Sequence, residues 1–161
     1  MRLVIADTGP INYLILIGHI DLLPRLFERV VLPAAVHAEL CNSLAPPAVQ
    51  RWIADCPAWL EITDTPAPVL AAGMHRGEAA AIALAATLHA DLLLIDDRRG
   101  ARAAKQQGLR TTGTLGLLDI AAERGMVDFA GAIRALESTT FRRPEALLQA
   151  LVNKHSRADK L

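Results

Sequence analysis

The chain has 161 residues, and its 17 Lys and Arg balance 17 Asp and Glu, so its formal charge is zero. That length favours one domain able to bury about two-thirds of its unfolded surface. With 52% apolar residues and a positive mean hydropathy, a disordered chain is excluded, as are a long basic tail and wholesale attraction to nucleic acid or anionic membrane.

Leu3–Ala6 is a short apolar run ended by Asp7-Thr8-Gly9-Pro10, which predicts a buried strand and then a turn. Asn12–Ile17 and Asp21–Phe27 predict two short helices broken at Gly18, with a kink at Pro24. Arg29–Leu32 is a second strand, and Pro33 stands at the first turn of a helix over Ala34–Cys41. Between Leu44 and Pro68 the pattern is irregular, punctuated by Pro46, Pro47, Pro57, Pro66 and Pro68, with a helix near Val49–Ala54 and a strand at Leu60–Thr63. Glu78–His89 is rich in Ala and Leu without a β-branched run, a strong helix signal. Leu92–Ile95 is a continuous apolar strand that stops at Asp96-Asp97. Then come a helix over Ala101–Gln107 closed by Gly108, a strand at Leu109–Thr112, and a helix over Thr114–Arg124 closed by Gly125. Asp128–Leu136 and Pro144–Asn153 add two helices, and there is no internal repeat.

No apolar run reaches the ~18–20 residues that span a bilayer; Ile11–Ile20 is interrupted by Asn12, Gly18 and His19. The N-terminus lacks the small-residue cleavage site of a signal peptide. Cys41 and Cys56 have no metal-binding spacing, and read as reduced thiols of a cytoplasmic protein with no membrane partner. His19, His37, His75, His89 and His155 form no HxxxH pair and are expected to be structural or superficial.

Short apolar strands alternating with helices predict an α/β fold with a parallel sheet covered on both faces. Such strands exclude charge, so acids gather at their ends, and ligands of open α/β sheets bind beyond the carboxyl ends of the strands. Strand one stops at Asp7 and the Leu92–Ile95 strand at Asp96-Asp97, on that same edge. Glu39 flanks the buried stripe of the helix after strand two. Glu78 opens the helix that feeds the Leu92–Ile95 strand, one turn from Ala81 and Ile82. Each acid has an alternative role: Asp7, Asp96 or Asp97 as a helix cap, Glu78 as a residue favoured by the helix dipole, Glu39 as a solvated helix residue. Carboxylates gathered at one crevice repel, by about 4 kcal/mol per pair at ~4 Å and a surface-like dielectric. A hard divalent cation with oxygen ligands, Mg²⁺ or Mn²⁺, relieves this and suits phosphoryl chemistry.

Asp7-Thr8 after the first strand, Glu39 after the second, Gly77-Glu78 followed by Ala79–Ala86, and Leu94-Ile95-Asp96-Asp97 together resemble the PIN domain family along residues 1–125. The stretch Arg76–Ile82 through Asp96-Asp97, with Gly113-Thr114-Leu115-Gly116-Leu117-Leu118, is similar to a poorly characterised prokaryotic branch of it. The resemblance implies a three-layer α/β/α domain with about five parallel strands in the order 3-2-1-4-5. Residues 1–125 would form the core, and 126–161 a C-terminal helical extension of the same domain. It implies a metal-dependent endoribonuclease, many relatives being toxins of toxin–antitoxin pairs, and hence a small antitoxin partner and a homodimer. Asp7, Glu39, Glu78 and Asp97 would hold Mg²⁺ or Mn²⁺, with Asp96 as substitute for Asp97, and Thr8 and Asn12 would orient them. This chain departs from the family pattern in having Glu78 where many members have Asp. It also has Ile95 and Gly100 near positions where many carry Thr and an aromatic residue.

Arg98, Arg99, Arg102, Lys105 and Arg110 follow directly after these acids with no acid among them. The first four are candidate contacts to an RNA backbone; the alternative is a solvated helix face. Aromatic residues are only 4% of the chain, too few for an extended base-stacking platform. Two functions therefore compete: a metal-dependent ribonuclease, and a PIN-fold module that binds RNA or protein without turnover. A small-molecule phosphatase is disfavoured because Asp7-Thr8-Gly9 lacks a DxD spacing.

Overall fold

Five parallel strands organise the first part of the chain. In the computed structural model, which describes residues 2–65 and 73–160, β1 (Leu3–Ala6), β2 (Arg29–Pro33), β3 (Leu60–Thr63), β4 (Leu92–Leu94) and β5 (Thr111–Thr112) form one sheet in the order 3-2-1-4-5. Central β1 pairs with β2 on one side and β4 on the other, Ile5 lying opposite both Val31 and Leu93. Both faces of the central strands are buried, as a parallel sheet requires. Leu3, Ile5, Val31, Leu93 and Ile95 pack on one side against Ala81, Ile82, Leu84 and Ala85; Val4, Ala6, Val30, Leu32, Leu92 and Leu94 are equally inaccessible on the other.

Helices flank the strands: α1 (Thr8–Leu16), α2 (Leu22–Leu26), α3 (Ala34–Leu40), α4 (Pro47–Ala54), α5 (Arg76–Thr87) and α6 (Arg98–Gln106). Four begin earlier than expected, α4 at Pro47 rather than near Val49. Helix α1 starts at Thr8 rather than Asn12, because Pro10 falls in its first turn, where a missing N–H breaks no helical bond. Pro24 occupies the same place in α2. Helix α5 starts at Arg76, and α6 starts at Arg98 because Asp97 caps it by accepting from the Gly100 N–H at 2.8 Å. Gly108 follows α6 at φ +79, a left-handed conformation that only glycine adopts readily. Pro66 and Pro68, expected to punctuate the irregular stretch, lie outside the described residues. Cys41 and Cys56 are free and exposed, and no helix among the described residues is long and apolar enough to cross a membrane.

Chain contacts divide the protein into two compact units, Met1–Thr114 and Leu115–Leu161. The second contains all but the first residue of α7 (Thr114–Glu123), together with α8 (Phe129–Glu137) and α9 (Glu145–Ala158), the last running five residues beyond its expected end at Asn153. Asp128 caps α8 by accepting from the Gly131 N–H at 3.0 Å. Asp119 of α7 accepts from Lys154 Nζ at 2.8 Å and pairs with His155 Nε2 at 2.8 Å, while the His155 ring stacks on Phe129. Burial pushes the Asp119 carboxyl up, but the hydrogen bonds and charges of Lys154 and His155 outweigh it and hold the group below its ordinary value of 3.8.

A carboxyl depressed in the folded state stabilises above its unfolded value and loses that contribution as the pH falls through the folded one. Asp119→Ala is therefore expected to lower stability by about 1 kcal/mol at neutral pH, discounted for the exposed Lys154. The gap from wild type should close in acid, as urea midpoints at the two pH values will show.

Candidate functional site

Because β1 and β4 are neighbours while their connections leave in opposite directions, the carboxyl ends of these strands form the switch point of the sheet. The Asp7 N–H continues the pairing by donating to the Leu94 carbonyl at 2.9 Å, which draws Asp7 and Asp96 to one edge. There a cleft of about 340 Å³ is lined by Asp7, Thr8, Gly9, Glu39, His75, Glu78, Asp96 and Asp97. The five acids predicted from separate elements thus meet in one place, together with Thr8.

They are held differently. Asp7 stands at the N-cap position of α1, yet its side chain makes no capping hydrogen bond. It is 6% exposed, and its Oδ1 is buried without a partner among the described residues. Burial, only partly countered by the Thr8 N–H, and then the charges of Glu78, Glu39 and Asp96 push its carboxyl up to about 7.

Glu39 bridges three helices. Its Oε2 accepts from the Thr8 hydroxyl at the start of α1, and its Oε1 accepts from the Gly77 N–H of α5 at 3.1 Å. The second bond satisfies one of the free donors of the α5 N-terminus, where His75 is the N-cap residue but supplies no side-chain cap. Gly77 is required for that approach, since a Cβ there would stand 2.5 Å from Glu39 Oε2. Glu78, in the first turn of α5, is raised mainly by burial and then by the charge of Asp97, against the His75 N–H.

The consecutive aspartates part company. Asp97 is exposed and caps α6. Asp96 is half-buried; its Oδ1 accepts from the Thr114 N–H and its Oδ2 from the Thr114 hydroxyl, each at 2.7 Å. Burial raises its carboxyl more than these two bonds lower it.

Asn12 sits one turn into α1, half-buried and outside the cleft lining. Arg98, Arg99, Arg102 and Lys105 are exposed on α6, and none has a carboxylate partner among the described residues. The Arg99 guanidinium leans over Gly73, two residues before His75, its Nη1 2.8 Å from where a Gly73 Cβ would stand.

His75, Gly9, Gly77, Gly113 and Thr114 complete the setting and were not singled out as functional residues. His75 was expected to be structural or superficial and lines the cleft instead. Its one sequence signal is its place three residues before a first-turn glutamate.

Among the described residues, no three of His, Cys, Asp or Glu are gathered into a ready-made metal cage. The donor set still fits a hard divalent cation. Five carboxylates line the cleft beside the Thr8 hydroxyl and the His75 imidazole, one buried Asp7 oxygen lacks a partner among the described residues, and Mg²⁺ takes one or two carboxylates and keeps several waters.

A parallel α/β sheet with acids crowded at its switch point defines a class of domain built to handle charge at that edge. The family follows from comparison: a PIN domain family model matches residues 3–157, and the chain belongs to that family. PIN domains are typically nucleases and generally use divalent metal ions. Among solved structures, a PilT N-terminus domain protein from the hyperthermophilic archaeon Sulfolobus solfataricus is 15% identical with a TM-score of 0.46, the match covering 89% of this chain and 100% of that one. No curated protein matches the chain.

The Glu39–Gly77 contact reverses an ordinary rule. Replacing a helical Gly by Ala normally gains about 0.5–1 kcal/mol. Here Gly77→Ala is expected to lose about 1 kcal/mol by displacing a carboxylate held by two bonds. In a Glu39→Ala background the same change should become stabilising, a sign reversal that urea unfolding of the double-mutant cycle will detect.

Proposed function

We propose that the chain is a divalent-metal-dependent endoribonuclease of PIN type, and the toxin of a toxin–antitoxin pair. The observation that carries the nuclease reading is Asp7: a buried carboxylate with one unpartnered oxygen, surrounded by other acids, at the switch point of the sheet. An uncompensated group of this kind is costly unless a ligand satisfies it. Mg²⁺ or Mn²⁺ is the proposed cofactor, with Asp7, Glu78 and Asp96 as the acids best placed to hold it and Glu39 supporting them through Thr8. Asp97, committed to capping α6, takes the lesser part. A divalent cation bound there would supply activation of water and neutralisation of charge for phosphodiester hydrolysis.

The chain's own residues do the remaining work. Thr8 and Glu39 fix the start of α1 against α5, so that Asp7 and Glu78 face one space. Arg98, Arg99, Arg102 and Lys105 offer unpaired positive charge to an RNA backbone beginning one residue beyond Asp97. The scarcity of aromatics argues for reading the backbone rather than stacking on bases. The toxin role, the small antitoxin partner and a homodimeric state rest on the family resemblance. The competing reading, a PIN-fold module that binds RNA or protein without turnover, is favoured by the hydrogen bonds that already occupy Glu39 and Asp97.

Following cleavage of a mixed RNA pool during Mn²⁺ titration separates the two. Wild type should cleave only with the cation and stop with a chelator, while Asp7→Asn should lose at least ~100-fold. Asp97→Asn should keep cleavage and lose about 1 kcal/mol of stability or less. RNA binding unaffected by Asp7→Asn, with no cleavage by wild type, would establish the binding module instead.

If α6 follows the RNA backbone, Arg99→Ala and Arg102→Ala should each weaken binding similarly across sequences. Each should also flatten the dependence of log affinity on log salt by about 1. Fluorescence anisotropy at several salt concentrations measures both, and an unchanged slope would return α6 to a solvated face.

A further inference from the structure

We propose that Thr114 is a positioning residue for Asp96, gripping both of its carboxylate oxygens and holding the side chain in the cleft between Gly9 and Gly113. The inference rests on the metal-dependent reading above and concerns how this chain chooses between two consecutive aspartates.

Asp96 and Asp97 leave β4 together, so sequence position alone gives neither precedence. Asp97 is drawn outward by the free N–H of Gly100 at the start of α6. Asp96 is drawn inward by Thr114, whose side chain is wholly inaccessible at 0% exposure. The two donors of Thr114 address different oxygens, the N–H reaching Oδ1 and the hydroxyl reaching Oδ2. A carboxylate held at both oxygens cannot rotate about its last bond, and each oxygen retains a lone pair for a further partner.

Two glycines close the socket. A Cβ at Gly113 would stand 2.6 Å from Oδ1, and one at Gly9 would stand 3.3 Å from Oδ2. The first distance leaves no room for any side chain at position 113. The N–H bond would persist in any residue but proline at position 114, so the hydroxyl is what the side chain adds. Its contribution is orientation of Oδ2, the oxygen nearer Gly9 and hence nearer the end of β1.

The test compares Mn²⁺ affinity, read from the electron paramagnetic resonance signal of free Mn²⁺, in the full chain and in Thr114→Val, Thr114→Ser and Gly113→Ala. Thr114→Val keeps the shape and the backbone bond and removes the hydroxyl. It should weaken Mn²⁺ binding about 10–100-fold, whereas Thr114→Ser should stay within about threefold of wild type. Gly113→Ala, which displaces Asp96 with the hydroxyl intact, should fall with Thr114→Val and supplies the answer if Thr114→Val does not fold. Thermal melting of each variant identifies loss of folding. In turnover at saturating Mn²⁺, the loss should appear in kcat with KM for RNA unchanged. Wild-type affinity in a folded Thr114→Val, or a loss that Thr114→Ser fails to restore, overturns the inference while leaving the metal reading intact. Absence of Mn²⁺ binding by wild type overturns both.

Discussion

Mutual repulsion of carboxylates is the constraint around which this protein is arranged. Asp7, Glu39, Glu78, Asp96 and Asp97 line one cleft of about 340 Å³, where each ionised pair at ~4 Å opposes folding by about 4 kcal/mol at a surface-like dielectric. The surroundings answer that repulsion acid by acid. Glu39 and Asp97 are aimed at the free N–H groups of helix starts, at Gly77 and Gly100. Hydroxyls at Thr8 and Thr114 donate to Glu39 and Asp96. Asp7 receives no such donor at Oδ1 and is the group pushed furthest toward the neutral form.

These compensations dictate residue choice well beyond the acids. Where a carboxylate must approach backbone closely, the backbone belongs to glycine: Gly77 beside Glu39, Gly113 beside Asp96. The same approach explains why α5 and α6 begin where they do, since each starts at the point where a carboxylate meets its first free donors. Helix boundaries and site geometry are thus one problem solved once. A change at any of these glycines acts on the acids directly, and a change at an acid acts on helix stability.

The fold was legible because its central strands are buried on both faces. Leu3–Ala6 and Leu92–Leu94 contain no polar residue to alternate, so they read as continuous apolar runs between helical segments. The acids were legible for the complementary reason, since charge excluded from such strands accumulates at their ends. What stayed hidden depends on contacts across the chain. Thr8 could start α1 only because proline fits a first turn, and Thr114 meets Asp96 across 18 residues of sequence. Neither contact leaves a periodic signal. The difference between Asp96 and Asp97 was likewise beyond reading, because both line the cleft and only their donors, Thr114 for Asp96 and Gly100 for Asp97, tell them apart.

The formal charge of zero is the sum of two local fields of opposite sign. Acids converge on the cleft, while α6 buries Gly100 and Ala104 and turns Arg98, Arg99, Arg102 and Lys105 to solvent. A polyanion attracted to α6 is repelled at the cleft as long as the acids are uncompensated. A cation placed among the acids removes that repulsion, so cation and polyanion each strengthen the other's binding by the same factor. On the nuclease reading, substrate therefore helps to retain the cation, and the coupling follows from the charge arrangement with no change of shape.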